Sequence, residues 1–417
     1  MHQKNKQKMP CQNPPAVVGI VCEYNPFHRG HARQFELIRE KLPEAAIVCV
    51  MSGPFTQRGM PAVYAPAERA RAALTAGADL VLELPALFAI REAEHFALGG
   101  VSILHDLGFV THISFGCENH EIPLLAEAAQ VLEQQDDCFT DRLREALGRG
   151  MPFAAAQGWA LAQVLGREER ETEESLPLSK EALGRIFSAP NNILAISYLR
   201  ALARLHSPIR PLPVLRVGSY HETSLDPSRG YPSATAVRTA LAKENWAEAQ
   251  AACGYDHRGL PFHPEKSLDL VLLNELRSMS KAQLAALPDC TEGLQNRLYK
   301  ACREALNRED LLRRLKTRRY TYARLSRLCC HGMLGLTGRM LKENPLPAYV
   351  RLLGLRVGQE GLLSLLRQSS LLVVSKAADG PLEEDAYRLD EKAYDLWALG
   401  AGEAAGLMYR QGVAVCP

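Results

Sequence analysis

Within its first 120 residues the chain alternates strand-length apolar runs with amphipathic helical stretches, and this alternation most limits its fold. "AVVGIVCEY" (16–24), "AAIVCVMSG" (45–53), "DLVLELP" (79–85) and "THISFG" (111–116) read as strands. Between them, "HARQFELIREKL" carries Phe35, Leu37, Ile38 and Leu42 on one face, and "PAERARAALTAGA" (66–78) opens on Pro and ends near Gly77, as helices do. A third helix is expected over 92–107. Strands that are apolar throughout belong in a parallel sheet buried on both faces, with helices as cover. The expected fold class is α/β, a Rossmann-like parallel sheet followed by a helical C-terminal region. Ligands on such sheets bind beyond the carboxyl ends of the strands. Glu23–Phe27, Ser52–Gly59 and Gly116–Glu118 fall there.

The 417 residues give room for two or three domains, and 47% apolar with 23% charged residues is the balance of a soluble globular protein. No apolar run reaches the roughly 18 residues that a membrane helix needs. The start, "MHQKNKQKMPCQNPP", is polar and basic without an apolar core, so it reads as a disordered lead-in (1–15) rather than a secretory signal. The expected setting is the cytoplasm, with no membrane partner. The 11 cysteines are scattered. Cys22 and Cys49 lie in apolar runs, and Cys329-Cys330-His331 has no second ligand pair, so no metal site is expected and reduced thiols are the plain reading.

Residues 120–190 read mostly as helix, with an acidic loop from Glu168 to Lys180. A helix over 190–205, a strand over 212–218 and a helix over 233–244 follow, the last with Ser233 as N-cap. Beyond about 261 the strand signals thin, and 267–286, 293–315, 320–334 and 346–367 look helical. The expected division is therefore 16–260 for a catalytic domain and 261–417 for a helical one.

The chemistry concentrates in "GIVCEYNPFHRGH" (19–31). A strand ends at Tyr24, the chain turns through Asn25-Pro26-Phe27, and a helix begins near Gly30. His28 and His31 then sit about one helical turn apart at a helix N-terminus, whose unpaired N–H groups favour an anion. Gly30 removes a side chain where a phosphate must approach closely. Two imidazoles beside a nucleotide α-phosphate donate hydrogen bonds to the transition state without acting as nucleophiles.

H-x-G-H between a strand and a helix resembles the signature of the nucleotidyltransferase superfamily. The longer series "GIVCEYNPFHRGH", "MSGPFTQRGMPAVY", "GADLVLELP", "AEHFALGGVSIL", "SFGCE", "PNNILAISYLRAL", "RVGSYHE" and "SATAVR" resembles, in order, the tRNA(Met) cytidine acetate ligase family. The resemblance is close over about 19–245 and looser to about 360 through "TRRYTYARLSRL"; a polar insertion lies within 151–185. It implies a nucleotidyltransferase fold. The implied enzyme uses ATP, with Mg²⁺ on the phosphates, to activate acetate as acetyl-adenylate. It then acetylates the wobble cytidine of elongator tRNA(Met). The implied ATP pocket comprises Val21, Cys22, Glu23, Tyr24, Asn25, Pro26, Phe27, His28, Arg29, Gly30, His31, Ala32, Arg33 and Gln34, with Gly116, Asn191 and Arg216. His28 and His31 would flank the triphosphate as the catalytic pair. "SATAVR" resembles the second phosphate-binding motif, with Ser233, Thr235 and Arg238 at its positions.

Bland readings stand beside several of these. Asn191 also reads as a helix cap, Arg216 as a surface residue, Glu23 as a local ion-pair partner, and Arg58 as an ordinary loop cation or a contact to phosphate or RNA. His95, His105 and His221 read as structural, and "RSMSK" (277–281) as a chance likeness to a synthetase loop.

From Arg297 to Arg327 the chain holds eleven Lys/Arg against three acidic residues, on a total net charge of +2. Arg313, Arg314, Lys316, Arg318, Arg319, Arg324 and Arg327, with Tyr320 and Tyr322 among them, fit a phosphate-backbone contact with rings stacking on bases of an anticodon loop. The alternative is a solvated helix face. Two other functions stay open at this point: a small-molecule adenylyltransferase, and an RNA-binding protein with a vestigial nucleotide pocket.

Overall fold

Successive residues of a strand point to opposite faces, and here both faces meet apolar side chains. Val48, Val50, Leu80 and Leu82 join one buried cluster, while Val18, Ile20, Ile47, Cys49 and Val81 join another. This double burial is why the strands read as unbroken apolar runs. The structure is a computed structural model that describes residues 16–118, 122–166, 179–215, 225 and 231–417. The expected lead-in, Arg216, His221 and most of the acidic loop lie outside the described residues.

The strands are β1 (Val17–Cys22), β2 (Ala46–Ser52), β3 (Leu80–Leu84), β4 (His112–Cys117), β5 (Arg210–Leu215), β6 (Tyr349–Arg356), β7 (Leu372–Val374) and β8 (Ala414–Cys416). They form one sheet in the order β5-β4-β1-β2-β3-β6-β7, with β8 also pairing β6. All pairings are parallel except β3 with β6. The fold class is α/β, as expected. The chain runs outward through β1, β2 and β3, then returns to lay β4 beside β1. The switch in strand order therefore falls between β1 and β4, and sheets of this kind bind ligands beyond the carboxyl ends of their strands at such a switch.

The helix Arg29–Lys41 buries Phe35 and Ile38 against the Ile20 face of the sheet. The helices Asp269–Ser278, Leu294–Glu304, Arg308–Leu315 and Tyr322–Leu334 pack through Leu272, Leu298, Leu311 and Leu328 into the same cluster as Leu80 and Leu82.

The expected helix over 346–367 is corrected. Its first half is β6, antiparallel to β3 with Leu80 opposite Leu355 and Glu83 opposite Arg351; only Glu360–Leu366 is helical. "YVRLLGLR" is rich in leucine, a good helix former, but the open edge of β3 offers it a ladder and burial on both faces. Gly354 fits there because a Cβ would lie 2.6 Å from the Leu74 side chain. The helix Asp385–Gly400 then closes over this edge. Arg351 pairs with Glu83 at 2.6 Å, the Tyr394 hydroxyl donates to Glu83 at 3.0 Å, and Trp397 Nε1 donates to the Ala62 carbonyl at 2.6 Å. Among the described residues no helix is long and apolar enough to cross a membrane.

Candidate nucleotide cleft and basic strip

β1 ends at Cys22 and the chain turns sharply, with Tyr24 in the left-handed region at φ 47°. Asn25 secures the turn: its Oδ1 accepts the Val63 N–H at 2.8 Å. The buried Tyr24 ring packs edge-on against Phe27 (4.9 Å) and beside His31 (4.8 Å). His28 is the N-cap of the Arg29–Lys41 helix, in extended conformation. Its Nδ1 accepts the Gly30 N–H at 3.1 Å, and His31 Nδ1 accepts the His28 N–H at 3.2 Å. The two imidazoles thus form a reciprocal capping box, stacked with centroids 3.7 Å apart. Because each Nδ1 accepts, a neutral ring carries its proton on Nε2, so each presents that atom as a donor. Gly30 is what lets the His28 ring fold back: a Cβ there would lie 3.0 Å from His28 Cε1 and 3.4 Å from Tyr231 Cβ.

That contact with Tyr231 brings a second helix start to the first. Ser233 caps Ala234–Ala242, its Oγ accepting the Ala236 N–H at 3.1 Å. Arg238 donates to the Asn25 carbonyl at 2.7 Å and to Thr235 Oγ1 at 3.1 Å. Two helix N-termini, a hydroxyl-bearing turn and a guanidinium therefore converge on the loop after β1, which makes the cleft attractive to anions. Burial, together with the charge of Arg58, lowers the Arg238 pKa. Burial raises the Glu23 carboxyl, opposed by the Gln57 N–H that Oε1 accepts and by Arg58 and Arg69.

Across the switch point, the Asn191 carboxamide donates to Glu118 Oε1 at 2.5 Å, and Asn192 Oδ1 accepts the Glu118 N–H at 2.9 Å. The start of the helix Pro190–Arg204 is thereby tied to the end of β4, where Gly116 pairs with Val214. Gln34 Nε2 donates to Ser114 Oγ at 3.1 Å, linking the first helix to β4. The other expected pocket residues make contacts of their own. Cys22 is buried, and burial pushes its thiol up. Val21 packs under Gly100. Arg33 pairs with Glu36 and Glu40 along its own helix. Arg29 is exposed and Ala32 half-buried on the first turn.

Sequence reasoning missed Arg69. It is 1% exposed and donates to the carbonyls of Tyr64 at 3.1 Å, of Glu23 at 2.5 Å and of Gly53, so it joins the loops after β1 and β2. The available signal was a lone arginine on the alanine face of "AERARAAL". Asn192 was missed beside Asn191.

The basic strip divides. Arg297 donates to the Arg314 carbonyl at 2.6 Å, Arg303 stacks on Tyr299 at 3.4 Å, and Arg313 and Arg314 pair with Asp310 at 2.7 and 3.1 Å. Tyr320 is 7% exposed, with Arg324 over its ring at 5.0 Å and its hydroxyl on Glu292 at 3.3 Å, so no open face remains to stack a base. Arg324 is held by Thr291 Oγ1 at 2.8 Å, and Arg327 is largely buried near Asp289. Arg318, Arg319 and Tyr322 stay exposed, with Lys316 5.6 Å from the Tyr322 ring. In "RSMSK", Arg277 donates to the Cys302 and Ala305 carbonyls and Ser280 caps Lys281–Ala285. Cys329 and Cys330 are buried, with thiols pushed up to about 12, and His331 donates to the Ile90 carbonyl at 2.9 Å.

Comparison with known proteins agrees with this arrangement. The profile of the HIGH Nucleotidyl Transferase family matches residues 16–409. The tRNA(Met) cytidine acetate ligase of Clostridium kluyveri is 36% identical over 375 residues, covering 86% of this chain and 89% of that protein. The ligase of the same name from Syntrophomonas wolfei is 33% identical, covering 92% and 94%. Crystal structures of Thermotoga maritima TmcAL superpose with TM-scores of 0.86 (apo, 28% identical) and 0.83 (bound with alpha-thio ATP, 27% identical), each covering 96% of this chain and 99% of the other. The chain belongs to the HIGH nucleotidyl transferase family and, within it, to the tRNA(Met) cytidine acetate ligases.

Proposed function

We propose that this protein is an ATP-dependent ligase that makes N4-acetylcytidine at the wobble position of elongator tRNA(Met). The observation that carries this reading is the stacked His28–His31 cap meeting the Ser233–Arg238 turn at the switch point of a parallel sheet. The family and the ligand of the alpha-thio ATP complex support it.

In the first step an acetate oxygen attacks the α-phosphorus in line. The bond from that phosphorus to the bridging oxygen breaks, and pyrophosphate leaves. His28 and His31 donate from Nε2, and the helix N-terminus adds its partial charge, to the oxygens that gain charge in the transition state. Thr235 and Arg238 hold the departing phosphates. Gly116 and Asn191, across the switch point, take the nucleoside end; Arg216 is proposed with them on the family pattern. Mg²⁺ fits as a passenger on the triphosphate, because it binds through phosphates and keeps waters. The loop after β1 is surrounded by N–H groups and arginines, with Glu23 already accepting the Gln57 N–H, which suits a metal brought by the nucleotide. It would neutralise charge on the pyrophosphate.

In the second step the cytidine amine attacks the acetyl carbonyl, the anhydride C–O bond breaks, AMP leaves and the amine loses a proton. No covalent acyl-enzyme is needed. Arg318, Arg319, Lys316 and Tyr322 would hold the tRNA in the cytoplasm, with Arg313 and Arg314 adding charge and Tyr320, Arg324 and Arg327 supporting from beneath.

The test is mass spectrometry of product nucleosides. Protein, ATP, Mg²⁺, labelled acetate and bulk bacterial tRNA are incubated beside a His31→Ala control. Labelled acetylcytidine from the wild type alone is the expected result. ATP turnover without labelled RNA would favour the small-molecule adenylyltransferase.

A further inference from the structure

The loop from Pro54 to Ala62 lies between the cleft and the helical region, and both sides hold it. On the cleft side, Glu23 Oε1 accepts the Gln57 N–H and Asn25 Oδ1 accepts the Val63 N–H at 2.8 Å. Inside the loop, Thr56 N–H donates to the Met60 carbonyl at 2.9 Å and Gly59 N–H to the Thr56 carbonyl at 2.8 Å. On the helical side, the buried Ser326 Oγ donates to the Arg58 carbonyl and accepts Arg308 Nη2 at 2.6 Å. Gly59, at φ 67°, lies directly on the Tyr322–Leu334 helix. A Cβ there would come within 2.8 Å of Arg327 Cα and of the Ser326 carbonyl oxygen. The loop is therefore seated on that helix.

What the loop presents is Arg58. Its side chain is exposed, and its charge reaches two groups of the cleft. It counters the burial that raises Glu23, and it adds to the burial that lowers Arg238. Arg58 directly follows Gln57, whose N–H Glu23 accepts, and Arg238 donates to the carbonyl of Asn25, so both arginines border the loop after β1. Glu23 offsets part of their repulsion, and a bound anion would offset the rest.

We propose that Arg58 contacts a phosphate of the nucleotide beside Arg238, and that Ser326 is a positioning residue that aims it through the loop backbone. This rests on the reading of the cleft as an ATP site. The ligand group is a phosphate, which an RNA backbone also carries, so the test must separate the two sources.

Acetate-dependent exchange of labelled pyrophosphate into ATP is measured without RNA. The proteins are the wild type, Arg58→Ala, Ser326→Ala and the double variant, each with a thermal melt and a KM for tRNA in full acetylation. Arg58→Ala should raise the KM for ATP about ten- to a hundredfold without moving the melt. Ser326→Ala should raise it about three- to tenfold, and should add nothing in the Arg58→Ala background. A normal ATP KM with a raised tRNA KM in Arg58→Ala overturns the nucleotide contact. Additive effects on ATP KM, or a Ser326→Ala effect confined to the melt, overturn the positioning role. A wild type without exchange counts instead against acetate activation, and ATP calorimetry on the same variants then decides the Arg58 contact.

Discussion

The proposed nucleotide cleft and the basic strip use their polar groups in opposite ways. In the cleft, side chains fix backbone: His28 and His31 cap a helix, Asn25 and Glu23 hold N–H groups of the next loop, and Arg69 gathers three carbonyls. The cleft is built before a ligand arrives. In the strip, several basic side chains are held by neighbouring side chains and carbonyls even where they stay exposed, as Arg297, Arg313 and Arg314 do, while Tyr320 and Arg327 are largely buried. Several of the eleven basic residues are therefore already engaged within the protein, whereas thirteen residues of the cleft segment become a larger site than their length suggests.

The largest effect expected from this contrast is in the cleft. His31→Ala should lower acetate-dependent pyrophosphate exchange by about 10²–10³-fold, the usual result of losing one transition-state donor. A loss of activity matched by unfolding in the melt would make the residue a cap alone. Next comes Arg69→Leu. Three carbonyls lose their donor, each at a cost of about 1 kcal/mol or more, so stability should fall by about 3 kcal/mol in a denaturant titration. An unchanged midpoint would mean that the loops after β1 and β2 hold without it.

Within the strip the two tyrosines should part. Tyr322→Ala should weaken tRNA binding by about 1–3 kcal/mol, the range for a ring stacked on a base. Tyr320→Phe should leave binding alone and lose at most about 1 kcal/mol of stability with the Glu292 bond. Equal losses of affinity would erase the division between exposed and buried parts of the strip. Arg318→Ala with Arg319→Ala should reduce the slope of log affinity against log salt by about 2, with ATP binding unchanged.

A pH-dependent effect lies behind the cleft, where the helix Asp385–Gly400 meets β3. Asp390 accepts the Ala86 N–H at 2.7 Å and the Tyr349 hydroxyl at 2.6 Å. Burial and the charge of Glu83 push its carboxyl up to about 7. The folded protein thus keeps a proton that the unfolded chain releases near pH 4, so this group's contribution to stability falls as pH rises from about 4 to about 7. Asp390→Asn should flatten that part of the stability–pH curve; an unchanged slope would count against it.

Much of the cleft's framework was legible because local rules decide it. β1 is apolar throughout, "NPFHRGH" breaks it, and two histidines three apart can only meet on a helix turn. The "SATAVR" start carried its own cap in Ser233. What stayed hidden depends on distant partners. β6 reads as helix until the edge of β3 pairs with it, and Arg69 reads as one more helix cation until two loops bring three carbonyls to it. The strip was legible as a charge but not as a surface, because some of its partners, such as Glu304 for Arg314 at 2.9 Å and the Arg314 carbonyl for Arg297, come from a separate helix.

The central claim is that activation and RNA recognition occupy separate places in the molecule. The most direct measurement is acetate-dependent pyrophosphate exchange without RNA, comparing the wild type, His31→Ala and the Arg318→Ala, Arg319→Ala double variant. The account predicts exchange equal to wild type in the double variant, although it no longer acetylates tRNA, and exchange lowered about 10²–10³-fold in His31→Ala. Exchange lost in the double variant in step with tRNA acetylation would contradict it.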